Sequence, residues 1–192
     1  MTPTPGQLAG LNLALNEARL LSFDLDLGRR VTIIGLSVLT LPEEGPAPDD
    51  ARIELRLFPV GRVTAALVDS EGRVRSLGIE QLSDAVRDFG GRPIYGWEFF
   101  DPPSTHLTAG SGRLSLDFRA EGTSLNHTLH LFQEDRQQKL DVCVWFDQLD
   151  VRDTSRDALS LDGVIAGGKR WWDGLYSGDP RIRASGIHPL KK

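Results

Sequence analysis

A chain of 192 residues, 40% hydrophobic and 26% charged, can bury about 70% of the surface exposed by its unfolded form, so neither a metal nor a disulfide is needed to hold it together. Its formal charge of −5, from 22 basic and 27 acidic residues, excludes the basic excess of a duplex-binding domain, and nucleic acid is not expected as a partner. Cys143 is the only cysteine, which excludes an intrachain disulfide, and no stretch approaches about 18 consecutive apolar residues, so no membrane partner is expected either.

The first residues, "MTPTPGQLAG", lack a basic region followed by an apolar run, which points away from a secretory leader and toward a cytoplasmic location. Residues 1–7 read as a loose end. Leu8, Leu11, Leu15 and Ala18 then follow helical spacing and predict a helix over about 8–18. The period changes at Leu21, Phe23, Leu25 and Leu27, which alternate with polar residues as a half-buried strand does. "GRR" turns the chain at 28–30 and "VTIIGLSVLTL" continues as the second strand of a hairpin. Three prolines and four acids make 42–50 an exposed loop.

Ile53, Leu55 and Leu57 alternate with charged residues. "RVTAALVD" and "RVRSL" follow as a hairpin around "SEG". Ile79, Leu82, Val86 and Phe89 return to helical spacing, and Gly90–Gly91 supply the helix stop. Beyond "IYGWEFFD" (94–101) and a Pro/Ser/Gly loop, "RLSLDFR" is a strand with Leu114, Leu116 and Phe118 inward. "HTLHLFQ" and "KLDVCVWFDQL" flank the turn "EDRQQ" as a long hairpin, and "SLDGVIAGGKRWWDGLY" is a glycine-containing helix. Residues 184–192 form a basic loose end.

These elements give about nine strands and two or three peripheral helices, joined mostly by short turns and without a βαβ rhythm. The expected fold is mainly β within the α+β class: one domain over 1–192, built as an antiparallel β-sandwich or a curved, partly closed sheet.

Chemical signatures are nearly absent. The chain carries no nucleotide fingerprint, phosphate loop, HExxH or CxxC pair, so no cofactor is expected. "DLDLG" at 24–28 has the acid spacing that opens a calcium loop but lacks its later ligands, and the four histidines show no ligand spacing, so no metal is expected.

The distinctive feature is an aromatic–acid theme repeated in "YGWEFFD", "VWFDQLD" and "RWWDGLY", which together hold every tryptophan. Trp97, Trp145, Trp171, Trp172 and Tyr176 are the candidates for a ligand or partner surface, because Trp and Tyr anchor interfaces. The competing structural use is core filling, with an Asp or carbonyl accepting the indole N–H. For Trp171–Trp172, adjacent helical positions point about 100° apart, leaving one ring for the core and the other for a pocket or partner. Alternation places Tyr95, Trp97, Phe99 and Asp101 on one face and Ile94, Glu98 and Phe100 on the other, as in an interior strand covered on both sides. Glu98 then lies among apolar groups, where a carboxylate either raises its pKa or pairs with one of 18 arginines; the alternative is an edge position where Glu98 simply reaches water.

A turn centred on Arg136–Gln137 sets His130 opposite Cys143, with Trp145 and Asp147 along the same face and Leu129, Leu131, Val142, Val144 and Phe146 on the apolar one. A Cys–His pair is either a nucleophile with its base or half a metal site; as structure, it is a small buried hydrophobe beside a hydrogen-bonded ring. Three functional classes follow. The first is a non-enzymatic binding or interaction module for a protein partner or small ligand, self-association to a homo-oligomer included. The second is a hydrolase-like enzyme using Glu98 with Asp101 or Asp147 as its carboxylate pair. The third is an immunity or accessory protein whose acids mask a basic partner.

Overall fold

The computed structural model describes residues 1–94, 98–103, 114–121 and 125–182. The chain begins with helix α1 (Pro5–Ala14), three residues earlier than apolar spacing predicts. A reciprocal capping box explains the early start: Gln7 N–H donates to Thr4 Oγ1 at 3.2 Å, and Thr4 N–H donates to Gln7 Oε1 at 3.1 Å. Residues 1–7 are therefore not loose. Met1 is held as well, its ammonium donating to the Leu149 carbonyl and its own carbonyl accepting from Leu149 N–H.

Strands β1 (Arg19–Asp26) and β2 (Val31–Ser37) form the expected hairpin. The acidic 42–50 loop has no regular structure. The next two expected strands are one, β3 (Arg52–Asp69), an 18-residue strand that turns into the short β4 (Val74–Arg75). A 3-10 turn and helix α2 (Leu82–Asp88) follow, and Gly90 and Gly91 take φ of 58° and 68° after it. The remaining elements are β5 (Leu116–Arg119), β6 (His127–Glu134), β7 (Gln138–Asp153), β8 (Ala158–Leu159) and α3 (Leu161–Ser177).

The described strands form one antiparallel sheet of eight, ordered β1-β2-β3-β7-β6, with β4 and β5 also pairing with β3 and β8 with β7. Its organising unit is the β3–β7 ladder, which runs from Ile53↔Asp153 to Asp69↔Gln138. The ladder shifts register between Val60 and Arg62, just after Pro59, which lacks the N–H a ladder needs. The other edge of β3 is shared in sequence: β2 takes residues 52–57 and β5 takes 62–65.

The fold is mainly β in the α+β class, with a curved single sheet in place of a sandwich. It is not closed by a continuous ladder. Isolated hydrogen bonds from residues 92–101 instead span from β1 to β6. The Arg92 carbonyl accepts from Leu20 N–H at 3.2 Å and from Gln133 Nε2 at 3.1 Å, and Phe99 and Asp101 pair with His130 and Thr128.

This arrangement corrects the reading of 94–101 as an interior strand. Among its described residues only Phe100 forms a bridge, to Leu129. Phe99 and Phe100 are both buried, while Glu98 faces solvent and makes no hydrogen bond or ion pair among the described residues. The chain lies along an edge, where an out-pointing carboxylate keeps its water. Tyr95 and Trp97 lie outside the described residues.

All three helices contribute to one core on the inner face of the sheet, through Leu8, Leu11, Leu82, Val86 and Leu161. Glycine lets α1 and α3 approach closely, since a Cβ on Gly168 would lie 2.6 Å from Ala14 Cα. A second cluster holds Trp171, Trp172, Leu175, Leu41 and Ile182. Both tryptophans are buried, which corrects the expectation of one core ring and one covering ring. The chain after α3 and the Leu39–Ala47 segment close over the side of the helix that would otherwise face outward. Among the described residues no helix is long and apolar enough to cross a membrane.

Candidate functional site

Because opposite residues in an antiparallel ladder share a face, the registers define transverse rows on the outer side of the sheet, away from the helices. One row is Arg119–Arg62–Trp145–Thr128, across β5, β3, β7 and β6. The next is Asp117–Thr64–Cys143–His130, and then Ala66–Asp141–Phe132. The opposite parity supplies Val63, Ala65, Val142, Val144, Phe146, Leu129 and Leu131, all buried in the core. The His130–Cys143 register is the one expected from the turn.

The outer rows carry a small apolar cluster of their own, with Ala66 and Cys143 buried and Leu114 and Trp145 half-buried against them. Leu114 thus leaves the inward set, whereas Leu116 and Phe118 pack on the main core. Arg62 reaches across this surface. Its Cζ stands 4.7 Å from the Trp145 ring centroid, a cation–π distance, while Nε and Nη2 donate to the two carboxylate oxygens of Asp117 at 2.8 and 3.0 Å. Arg119 donates to the same carboxylate at 3.3 and 2.9 Å. Hydrogen bonds from Arg62 and then Arg119 hold the Asp117 carboxyl down at about 2. Two guanidiniums against one carboxylate leave a net positive charge beside the indole.

Cys143 is fully buried, and burial pushes its thiol up to about 12; the Arg62 charge offsets only part of this. The thiolate is the nucleophilic form, so this position favours a packed thiol. His130 turns Nε2 to Asp141 Oδ1 at 2.8 Å. Thr64, next to Cys143 in the row, is fully buried and its hydroxyl has no hydrogen-bond partner.

The other candidate acids are held individually. Asp147 Oδ1 accepts from Asn126 N–H at 3.0 Å and from Asn126 Nδ2 at 2.9 Å. Asp101, at φ 44°, accepts Thr128 N–H at 2.6 Å through Oδ1 and meets His127 Nδ1 at 2.9 Å through Oδ2. The His127 ring rests against Phe146, with Nε2 buried and unpartnered.

Of the expected surface, then, Trp145 lies half-buried on the outer face, Trp171 and Trp172 lie in the α3 cluster, and Tyr176 is exposed near the end of α3. They do not share one surface. Arg62, Asp117, Arg119, Thr64 and His127 are site residues that sequence reasoning passed over. The alternation that put Phe118 inward already put Asp117 and Arg119 outward, and the same period of two applied to "RVTAALVD" separates Arg62 and Thr64 from Val63 and Ala65, which is the signal that could have found them. No protein-family model matches the chain, and no curated protein or solved structure matches it either.

Proposed function

We propose that this protein is a non-enzymatic binding module whose recognition surface is the outer face of β5–β3–β7–β6, and that its ligand is a protein partner. The observation that carries this reading is the Arg62–Trp145 stack, pinned by Asp117 on a half-buried apolar cluster. Trp and Arg with locked geometry are the side chains that dominate binding energy at protein interfaces. Asp141 and His130, joined at 2.8 Å, supply a polar rim. The enzymatic reading needs two carboxylates free to act together. Asp101 and Asp147 are each committed to local hydrogen bonds, and Glu98 is solvent-facing.

Affinity capture with the whole protein as bait tests the proposal. Partners bound by the native chain are lost with Trp145→Ala and with Arg62→Ala, and retained with Tyr176→Ala, all three variants being folded by circular dichroism. An unchanged partner set in both outer-face variants would overturn it. Self-association through this face is read separately: sedimentation shows a dimer that Trp145→Ala dissociates, or monomer alone, which removes that version.

A further inference from the structure

The opposite end of β3 from Trp145 borders a cleft of about 310 Å³, enclosed by the end of α1, residues 38–40, the start of β3 and the start of α3. That volume is at the small end of the range for small-molecule sites, about 300–1,000 Å³. Its walls are largely apolar: Val38, Leu39, Ile53, Leu159 and Val164. Its polar lining is two hydroxyls, Thr40 and Ser160, and one guanidinium, Arg52. Among the described residues Arg52 is the only charged one in the lining, and the start of α3 contributes Ser160 and Gly163. The first turn of α3 is capped within the protein, Ser160 Oγ accepting from Gly163 N–H at 3.0 Å, so the positive charge at the cleft is that of Arg52. No Asp or Glu among the described residues lines the cleft.

The charges nearby are already engaged elsewhere or weakly held. Asp162, in the first turn of α3, accepts from Gln7 Nε2 at 3.1 Å. Arg52 pairs with Asp50 at 2.7 Å, but both side chains are about half exposed, at 58% and 48%. Solvent screens an exposed pair of this kind, so Arg52 can exchange Asp50 for a ligand carboxylate.

We propose that this cleft binds a medium-chain fatty carboxylate, its chain against Val38, Ile53, Leu159 and Val164 and its head at Arg52. The site is separate from the outer-face surface and does not depend on it. The small volume selects a short chain over a full-length lipid, and Arg52, the charged residue among the described lining, selects an anion over an alcohol or an amine.

Calorimetric titration with octanoate, decanoate, decanol and decyltrimethylammonium, each below its micelle concentration, tests the assignment. Decanoate is expected to bind about an order of magnitude more tightly than octanoate, from about fourfold per methylene, and more tightly than decanol or the ammonium compound. Arg52→Gln weakens decanoate about fivefold and leaves decanol unchanged. Val164→Trp fills the cleft and abolishes binding, while Trp145→Ala leaves it intact. Equal affinity for decanoate and decanol, with Arg52→Gln silent, would overturn the anionic head assignment. Absence of binding by all four probes, or decanoate binding that survives Val164→Trp in a folded variant, would overturn the site.

Discussion

The β3–β7 ladder has two halves whose outer faces are built from opposite materials. In the first half, Arg56 opposes Asp150 and Glu54 opposes Arg152, and the Arg56–Asp150 pair at 3.2 Å is partly open to water. In the second, Thr64 opposes Cys143 and both are fully buried, with Trp145 and Arg62 above them. The inner face does not change along the ladder: Leu55, Leu57, Val63 and Ala65 are all buried in one core. What changes is the neighbour on the far edge of β3, from β2 to β5, across the register shift at Val60/Arg62. The difference teaches that the core specifies the sheet, while the edge partner decides which stretch of outer surface receives an apolar floor and an arginine clamp.

The largest expected effect lies on the shared inner face. Phe146 is fully buried and touches Phe100 edge-on at 6.3 Å and the His127 ring at 5.8 Å. Phe146→Ala removes that packing and leaves a cavity, costing about 3–5 kcal/mol in urea denaturation. A loss near 1 kcal/mol would mean that the inner face is less continuous than the contacts show.

Cys143→Ser tests the buried outer floor. It sets a hydroxyl at a fully buried position that the thiol fills as a small apolar group, and an unsatisfied buried polar group costs about 1–3 kcal/mol. The thiol adds a pH signature. Its folded value of about 12 lies above its ordinary value of 9.0, so the folded state keeps the proton that the unfolded state releases. The contribution is fully present below pH 9 and is lost as pH rises from 9 toward 12. Cys143→Ala removes that part of the alkaline slope in denaturation midpoints, and the native thiol resists iodoacetamide at pH 8. Rapid native alkylation would show that the second half of the outer face is as open as the first.

How much of this was legible in the sequence follows the same division. Alternation at 52–57 and in the two arms of the 127–149 hairpin identified those strands and their apolar faces, because burial on one side imposes a period of two; 62–69 was legible as a strand from its hairpin signal. The 127–149 hairpin register, and so the His130–Cys143 pairing, was readable because a short turn fixes it locally. The β3–β5 pairing joins Arg62 to Asp117 across 55 residues, and no local signal encodes such a contact. The same limit hid the burial of Trp172, which depends on residues around Leu41 closing over α3, and left Glu98 open between an apolar interior and a water-facing edge, where the structure puts it.

Asp117 sharpens the comparison at lower pH. Its carboxyl is held down at about 2, against an ordinary 3.8, by Arg62 and then Arg119. A lowered folded value makes a contribution present above about pH 4 and lost as pH falls from 4 toward 2. The group is partly exposed, so solvent screening keeps the contribution below about 1 kcal/mol. Asp117→Asn flattens the acid limb of the stability curve in that window. It also loosens Arg62 from Trp145, read as a change in indole fluorescence. An unchanged spectrum would separate the Arg62–Trp145 stack from the Asp117 clamp.

The smallest effect is expected from Arg56→Gln in the first half. Arg56 donates to Asp150 Oδ2 at 3.2 Å, and Arg152 faces the same oxygen at 3.4 Å. Removing Arg56 therefore leaves Asp150 with a second cation, and the loss stays within about 0.5 kcal/mol. Arg62 is different, although it occupies the same face of the same strand. Its side chain is 15% exposed, against 28% for Arg56, and it spans an aromatic ring and a carboxylate together. Arg62→Gln should cost more than Arg56→Gln in the same urea titration, and the difference should shrink when Trp145 is already alanine, because the two partners share one contact. Equal costs in the native background would erase the distinction between the halves and reduce the Arg62–Trp145 stack to an ordinary surface contact.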